Sequence, residues 1–246
     1  YIRGLLMTEN QKYWLNGALG EYLKSEEQAL YDAAVVDLFG FNALQYGMLE
    51  LDLLRESRIP YRLKADVNSG NFQAESPFLP LPANSLDLLL LPHTLDFSEF
   101  PQQTLREAER VLVPEGHVVL TGLNPISLWG FRRFLQRKST CPIQQHLWAG
   151  HSFSLLRIKD WLSLLGFEIV SISFSCYRIP MQNQIWSKRF ALDVLGKKWW
   201  SHFGGVYCIV AKKRVLGMRI IKPNWNKVKL NSKLVTTTSK KDELPK

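Results

Sequence analysis

Cysteine is scarce: Cys141, Cys176 and Cys208 lie far apart in 246 residues and form no Cys-x-x-Cys pair. That argues against a disulfide framework and a thiolate zinc site, and it suits a reducing compartment. No apolar run approaches the roughly 20 residues of a membrane-spanning helix. The N-terminus has no basic-then-apolar leader pattern, so a cytoplasmic protein without a transmembrane segment is expected. No His/Cys/carboxylate cluster has ligand spacing, and no metal is expected. Neither Gly-x-Ser-x-Gly nor a Walker loop is present, which sets aside the usual serine-hydrolase and P-loop chemistries.

The net charge of +9 is unevenly placed. Residues 1–210 carry 20 Lys and Arg against 20 Asp and Glu, whereas residues 211–246 carry 11 against only Asp242 and Glu243. The folded part is therefore neutral overall and the excess sits in the tail. From Leu216 onward periodicity fades and Thr, Ser, Asn and Lys dominate, which predicts disorder from about Lys222. This tail is a candidate for contact with RNA or another anionic surface, with a solubilising role as the plainer alternative.

What the chain does have is a central apolar block. Leu86-Asp87-Leu88-Leu89-Leu90-Leu91 is bounded by turn formers, as in a strand buried on both faces. Pro101 to Val113 follows with Leu105, Ala108 and Leu112 at helical spacing, then Pro114-Glu115-Gly116 turns into His117–Thr121. This β-α-β unit predicts a doubly wound, mostly parallel α/β sheet, with ligands beyond the carboxyl ends of the strands. Upstream, residues 1–30 read as a helix covering one sheet face, Ala33–Gly40 as the first strand, and Asn42–Ser57 as a helix with Leu44, Met48, Leu51 and Leu54 on one side. Short strands are expected at Tyr61–Lys64 and Phe72–Glu75. The spacing from the first to the third strand is too brief for the usual intervening helix. Downstream, Ser127–Lys138 reads as a basic amphipathic helix, over the cleft or at a membrane or nucleic-acid surface. A further helix spans Ser154–Leu165, with Gly166 as its left-handed stop. Phe167–Phe174 alternates like a half-buried strand, and Val206–Lys212 is the last strand. Between these two, Pro180–Gly205 interleaves tryptophans with Lys and Arg.

Leu79-Pro80-Leu81-Pro82-Ala83-Asn84-Ser85-Leu86-Asp87, then His93-Thr94-Leu95, then Leu105-Arg106-Glu107-Ala108-Glu109-Arg110-Val111-Leu112-Val113-Pro114-Glu115-Gly116-His117 resemble the type 11 group of class I S-adenosylmethionine-dependent methyltransferases. Gly122-Leu123-Asn124-Pro125-Ile126-Ser127-Leu128-Trp129-Gly130 is similar to a poorly characterised bacterial branch of that group. The resemblance runs from about Ala33 to Lys213. It implies a seven-stranded Rossmann-like sheet with an antiparallel last strand, S-adenosylmethionine as cofactor, and methyl transfer to an unidentified acceptor. It also implies three parts: an N-terminal helical cover over 1–31, a methyltransferase-like domain over 32–215, and the tail from 216.

The family's cofactor loop reads acidic-x-Gly-x-Gly-x-Gly straight after strand one. Aligned there are Asp37-Leu38-Phe39-Gly40-Phe41-Asn42-Ala43, which keep the acid but put Phe39, Phe41 and Ala43 in place of the glycines. The resemblance makes Asp37, Gly40 and Asn42 cofactor-loop candidates, with Asp37 facing the ligand's ammonium. It places Glu75 against the adenine amine, with the next backbone N–H, that of Ser76, on a ring nitrogen. Asp66 is the acidic residue nearest the ribose position. Asp87 reads as ordering its turn. His93, just past the central strand, has three readings: cofactor-pocket lining, structural, or general base. Asn124-Pro125 follows strand five and lacks the aromatic of the amino-group methyltransferase motif. His117 and His151 read as surface or structural residues. The rival to an enzyme is a methyltransferase fold kept as a non-catalytic binding or scaffold module, for which the altered loop is the support.

Overall fold

The computed structural model describes residues 18–131, 150–177 and 203–215. The chain separates into two compact units, 1–215 and 216–246, and all described residues lie in the first. The expected basic helix beyond Phe131, most of the insertion after Pro180 and the tail fall outside the described residues.

One seven-stranded sheet organises the first unit, in the order β3-β2-β1-β4-β5-β7-β6. Its strands are β1 (Asn42–Tyr46), β2 (Tyr61–Asp66), β3 (Phe72–Gln73), β4 (Leu86–Pro92), β5 (Leu112–Leu123), β6 (Phe167–Ser175) and β7 (Val206–Lys213). The pairs β1–β2, β2–β3, β1–β4 and β4–β5 are parallel, and β7 runs antiparallel to both β5 and β6. The doubly wound sheet with an antiparallel last strand is what the central β-α-β block and the resemblance implied. The apolar run of β4 is buried along nearly its whole length, as a strand flanked by parallel neighbours requires.

Helices cover both faces. On one face lie α3 (Pro101–Val111), whose Leu105, Ala108 and Val111 are buried, and α4 (Leu155–Leu164), which contributes Ile158 and Leu162. Ser154 caps α4 by accepting a bond from Arg157 N, and Gly166 stops it at φ +79°. A single turn, α2 (Thr94–Phe97), joins β4 to α3. The other face is covered by α1 (Ala18–Val35). Leu23, Glu27, Tyr31 and Val35 recur every fourth residue of α1 and are fully buried. The boundary expected at 31/32 thus falls inside a helix that helps build the core.

Two expected elements are corrected. Ala33–Gly40 is not the first strand, because α1 continues to Val35 and the chain reaches the sheet only at Asn42. Asn42–Ser57 is not a helix. Its first five residues are β1, and turns follow, from which Leu53 and Leu54 still reach the core. The helix usual after strand one is absent, and α1 packs against that face instead.

Lys213, at the end of β7, is 7% exposed and caps α3 from outside. Its Nζ donates to Glu109 O at 2.6 Å, Leu112 O at 2.9 Å and Asn84 Oδ1 at 3.2 Å. A cation among the last carbonyls of a helix satisfies both their lone pairs and the helix dipole. Lys213→Met keeps the stem but strips these acceptors, and about 2–4 kcal/mol of unfolding free energy is expected to be lost in urea titration. An unchanged midpoint would contradict the capping role.

Candidate active site

The carboxyl ends of β1, β2, β4 and β5 define one rim of the sheet. At β1 the chain leaves Tyr46 through Gly47 (φ +84°) and Met48 (φ +47°). Two successive left-handed residues turn the backbone sharply, and Gly47 makes this possible at low cost. Gly47 N donates to Ala65 O at 2.8 Å, which ties the turn to β2. A Cβ built on Gly47 would meet no atom within 4 Å, so the space over the end of β1 is open.

Gln45 shapes this turn from inside. It is fully buried, and its Nε2 donates to Gly47 O, Met48 O and Leu51 O at 3.2, 3.1 and 2.9 Å. Its Oε1 accepts from Leu53 N at 3.2 Å. One amide therefore satisfies the backbone of a loop that has no helix of its own to do so. Across the loop, Lys24 Nζ of α1 pairs with Glu50 at 2.6 Å, and Gln28 Nε2 donates to Asp52 O at 3.0 Å.

Asp66 ends β2, where its Oδ1 accepts from Val67 N at 2.8 Å. Glu75 is exposed just past β3, in a bridge with Phe78, and Tyr46 Oη donates to the neighbouring Ala74 O at 3.0 Å. Burial, then the negative charges of Asp66 and Glu75, push the Tyr46 phenol above its ordinary value. Both carboxylates thus act on one ring at the β1–β2–β3 end of the rim. Ser76 Oγ shares a 3.0 Å hydrogen bond with Thr104 Oγ1 of α3, so its side chain anchors the segment that follows Glu75.

His93 ends β4 in a left-handed conformation (φ +49°) and is 2% exposed. Its Nε2 forms an ion pair with Glu27 of α1, and its Nδ1 lies 2.8 Å from Asp96 Oδ2. Asp96 Oδ2 also accepts from Leu123 N at 2.9 Å. Thr121 Oγ1 joins Tyr31 Oη at 3.3 Å and Glu27 Oε1 at 3.4 Å. Burial is the largest influence on the imidazole and opposes its charge. The Glu27 charge, the Asp96 hydrogen bond and the remaining carboxylate contributions together outweigh it, and His93 is pushed up to about 10. A carboxylate against each ring nitrogen favours the charged imidazole, and in that form neither nitrogen has a lone pair for a proton. Of its three readings, the structure carries the structural one: His93 is the centre of a buried charge network that binds α1 to the rim.

The other predicted loop residues lie elsewhere. Asp37 follows α1, and Gly40 and Asn42 sit where β1 begins, at the opposite, amino-end rim. There Asp87 Oδ2 accepts from Phe41 N and Asn42 N, both at 2.9 Å, and Asn42 Nδ2 donates to Ser85 O at 3.1 Å. A Cβ on Gly40 would lie 2.2 Å from Asp87 Cβ, so this glycine serves close packing. Phe39 and Phe41, 66% and 76% exposed, point away from the ligand rim and obstruct nothing there. The corrected loop is Gln45-Tyr46-Gly47-Met48-Leu49-Glu50-Leu51, with Gln45 in the acidic position and one of three glycines retained. Asn124 is also structural: its Nδ2 donates to Gly204 O, its Oδ1 accepts from Ile126 N, and its own N–H donates to Gly205 O. Gly47, Gln45, Glu27 and Asp96 were not singled out in the sequence; the start of β1 was the missing signal.

Among the described residues, no helix is long and apolar enough to cross a membrane, and no group of three or more His, Cys, Asp or Glu is placed to hold a metal.

Strand order, the antiparallel β7 and the turn at Gly47 define the class I methyltransferase architecture. The type 11 family model, described as a methyltransferase domain, matches residues 47–120 and so begins at that glycine. Two solved structures share the fold. One is a Thermotoga maritima S-adenosylmethionine-dependent methyltransferase, described as a possible histamine N-methyltransferase (16% identity, 75% of this chain and 89% of that one, TM-score 0.55). The other is an S-adenosylmethionine-dependent methyltransferase from Archaeoglobus fulgidus (19% identity, 78% and 94%, TM-score 0.51). The Escherichia coli (strain K12) protein YafS, described as uncharacterised, is 31% identical over 209 residues, spanning 81% of this chain and 80% of YafS. The chain belongs to the class I S-adenosylmethionine-dependent methyltransferase family, in the same branch as YafS.

Proposed function

We propose that the carboxyl rim binds S-adenosylmethionine and that the protein transfers its methyl group to an acceptor. The observation that carries this reading is the open turn at Gly47, with Asp66 and Glu75 gathered beside Tyr46 along the same rim. A ligand's backbone-hugging end fits over Gly47, where no Cβ intrudes. Asp66 would accept from ribose hydroxyls, Glu75 from the adenine amine, and the N–H of Ser76 would serve a ring nitrogen. The bound cofactor supplies an electrophilic methyl on a sulfonium centre. The chain's part is orientation and exclusion of water, and positioning alone can account for much of the rate. The buried His93 takes no part in proton transfer in this reading.

Calorimetric titration with S-adenosylmethionine and S-adenosylhomocysteine, beside thermal melting, tests it. Ligand at 100 times its dissociation constant adds about 2.7 kcal/mol of stability. Gly47→Val fills the open space and places a β-branched residue at positive φ; it is expected to abolish binding while costing about 1–3 kcal/mol of stability. Glu75→Ala is expected to weaken binding about tenfold with little effect on the apo melt. Heat of binding would justify a screen of acceptors. No heat and no shift at millimolar ligand would favour the second reading, a methyltransferase fold kept to bind a partner. Gln45 in the acidic position is the observation behind that alternative.

A further inference from the structure

We propose that Glu27, on the helix preceding the sheet, replaces the missing strand-one acid and receives the ammonium group at the amino-acid end of the cofactor. This rests on the methyltransferase reading above and assigns a residue to it.

The family loop offers an acid for that ammonium, and here the position holds Gln45. Gln45 is neutral, and its amide is spent on four backbone bonds within the loop. The other rim carboxylates are committed elsewhere. Glu50 is paired with Lys24 at 2.6 Å. Asp66 and Glu75 sit towards β2 and β3, at the end suited to ribose and base. Asp96 holds His93 and Leu123 N. In Glu27, Oε1 faces His93 and accepts from Thr121 Oγ1, while Oε2 is buried with no hydrogen-bond partner. Asp96 Oδ1 is buried in the same way, but Asp96 bonds the other ring nitrogen of His93 and belongs to the turn after β4, not to the helix that flanks the Gly47 loop.

A buried, unpartnered carboxylate oxygen is costly, and a cationic donor is the partner that would offset the cost. Position favours Glu27 as well. Lys24 and Gln28, three residues before it and one after, bind Glu50 and Asp52 O of the loop that starts at Gly47. Glu27 therefore stands between that loop and the end of β4, the two elements between which the ligand's amino-acid end is expected. His93 holds the carboxylate there, aimed by Asp96 behind it. Glu27 is closed off from solvent, so this assignment requires Oε2 to be uncovered when the ligand binds.

The test is calorimetry with two uncharged-sulfur ligands, S-adenosylhomocysteine, which carries the ammonium, and 5′-methylthioadenosine, which lacks the whole amino-acid end. Glu27→Gln is expected to weaken S-adenosylhomocysteine by about 10- to 100-fold, the range for a lost charge-assisted bond, and to leave methylthioadenosine within about twofold. Glu27→Asp, which keeps the charge on a shorter stem, is expected to fall between wild type and Gln for the first ligand only. Equal weakening of both ligands would mean that Glu27 merely holds α1 and would overturn the assignment. So would unchanged affinity for S-adenosylhomocysteine in both variants, with the methyltransferase reading left standing. Failure of wild-type protein to bind either ligand would instead remove that reading, and this one with it.

Discussion

His93→Asn is expected to lower the unfolding free energy by about 3–5 kcal/mol, the cost of breaking a buried ion pair from one side. Asparagine tolerates the left-handed backbone at this position, so the loss reports the charge and not strain. Without the imidazolium, Glu27 and Asp96 face each other as buried acids, and the N–H of Leu123 is left to hold one of them. Adding Glu27→Gln and Asp96→Asn to the variant should recover part of the loss. The wild type should show the same network as a pH dependence. His93 is raised from 6.5 to about 10 in the folded state, so its contribution is complete below about pH 6.5 and is lost as pH rises towards 10. Stability should therefore fall across that window by at most about 1.4 kcal/mol per pH unit, the limit for one proton. His117 is lowered, chiefly by burial, and acts below its ordinary value, outside this window. Burial raises Tyr31 and Cys208, which lie beside Glu27, and they add to the fall only at the alkaline end. Urea unfolding between pH 6 and 9 measures the slope. A flat profile would show that His93 is neutral in the folded protein.

The same network explains why half the sheet was legible and half was not. β4, α3, α4, β6 and β7 follow simple periodicities, and each lies within a residue or two of its expected span. β5 extends further, because Pro114-Glu115-Gly116 forms an irregularity within one strand: the register shifts from Leu86↔Leu112 to Leu88↔His117, with Glu115 at φ +67°. The amino-terminal third breaks the pattern rules with buried polar groups. Glu27 occupies a core position of α1, and so interrupts the apolar stripe that would have carried the helix on to Val35. Gln45 does the same to β1, a strand of five residues whose fourth, fully buried, is an amide. With strand one displaced, Asp37, Gly40 and Asn42 were aligned with a loop that lies eight residues further on. His93 falls just past β4, as expected, because the apolar run of β4 marks that strand's end, and Glu75 lies two residues beyond the short β3. His93's partners come from α1 and the turn after β4, and no local pattern pairs residues 66 positions apart.

Gln45→Glu, which puts the family's acid back in its usual position, is expected to damage the protein instead of restoring a better site. The amide donates to three carbonyl oxygens, and a carboxylate there would lose all three bonds and face the same oxygens unpaired. Loss of these bonds inside the core should cost about 3–5 kcal/mol at neutral pH. The introduced carboxyl escapes part of the penalty by keeping its proton, so its folded pKa rises above the ordinary 4.3 or so. Below that value both states are protonated and the damage is smallest; as pH rises the unfolded chain ionises first and the deficit grows. Comparing urea midpoints of the variant and wild type at pH 5 and pH 7.5 should therefore show a larger gap at the higher pH. Ligand affinity should fall along with stability, because the turn at Gly47 is built on the bonds that Gln45 makes. A variant as stable as wild type with tighter cofactor binding would mean that the loop can revert to the family form. In that case the ammonium would belong to residue 45, and the buried carboxylate of Glu27 would be left as a purely internal partner of His93.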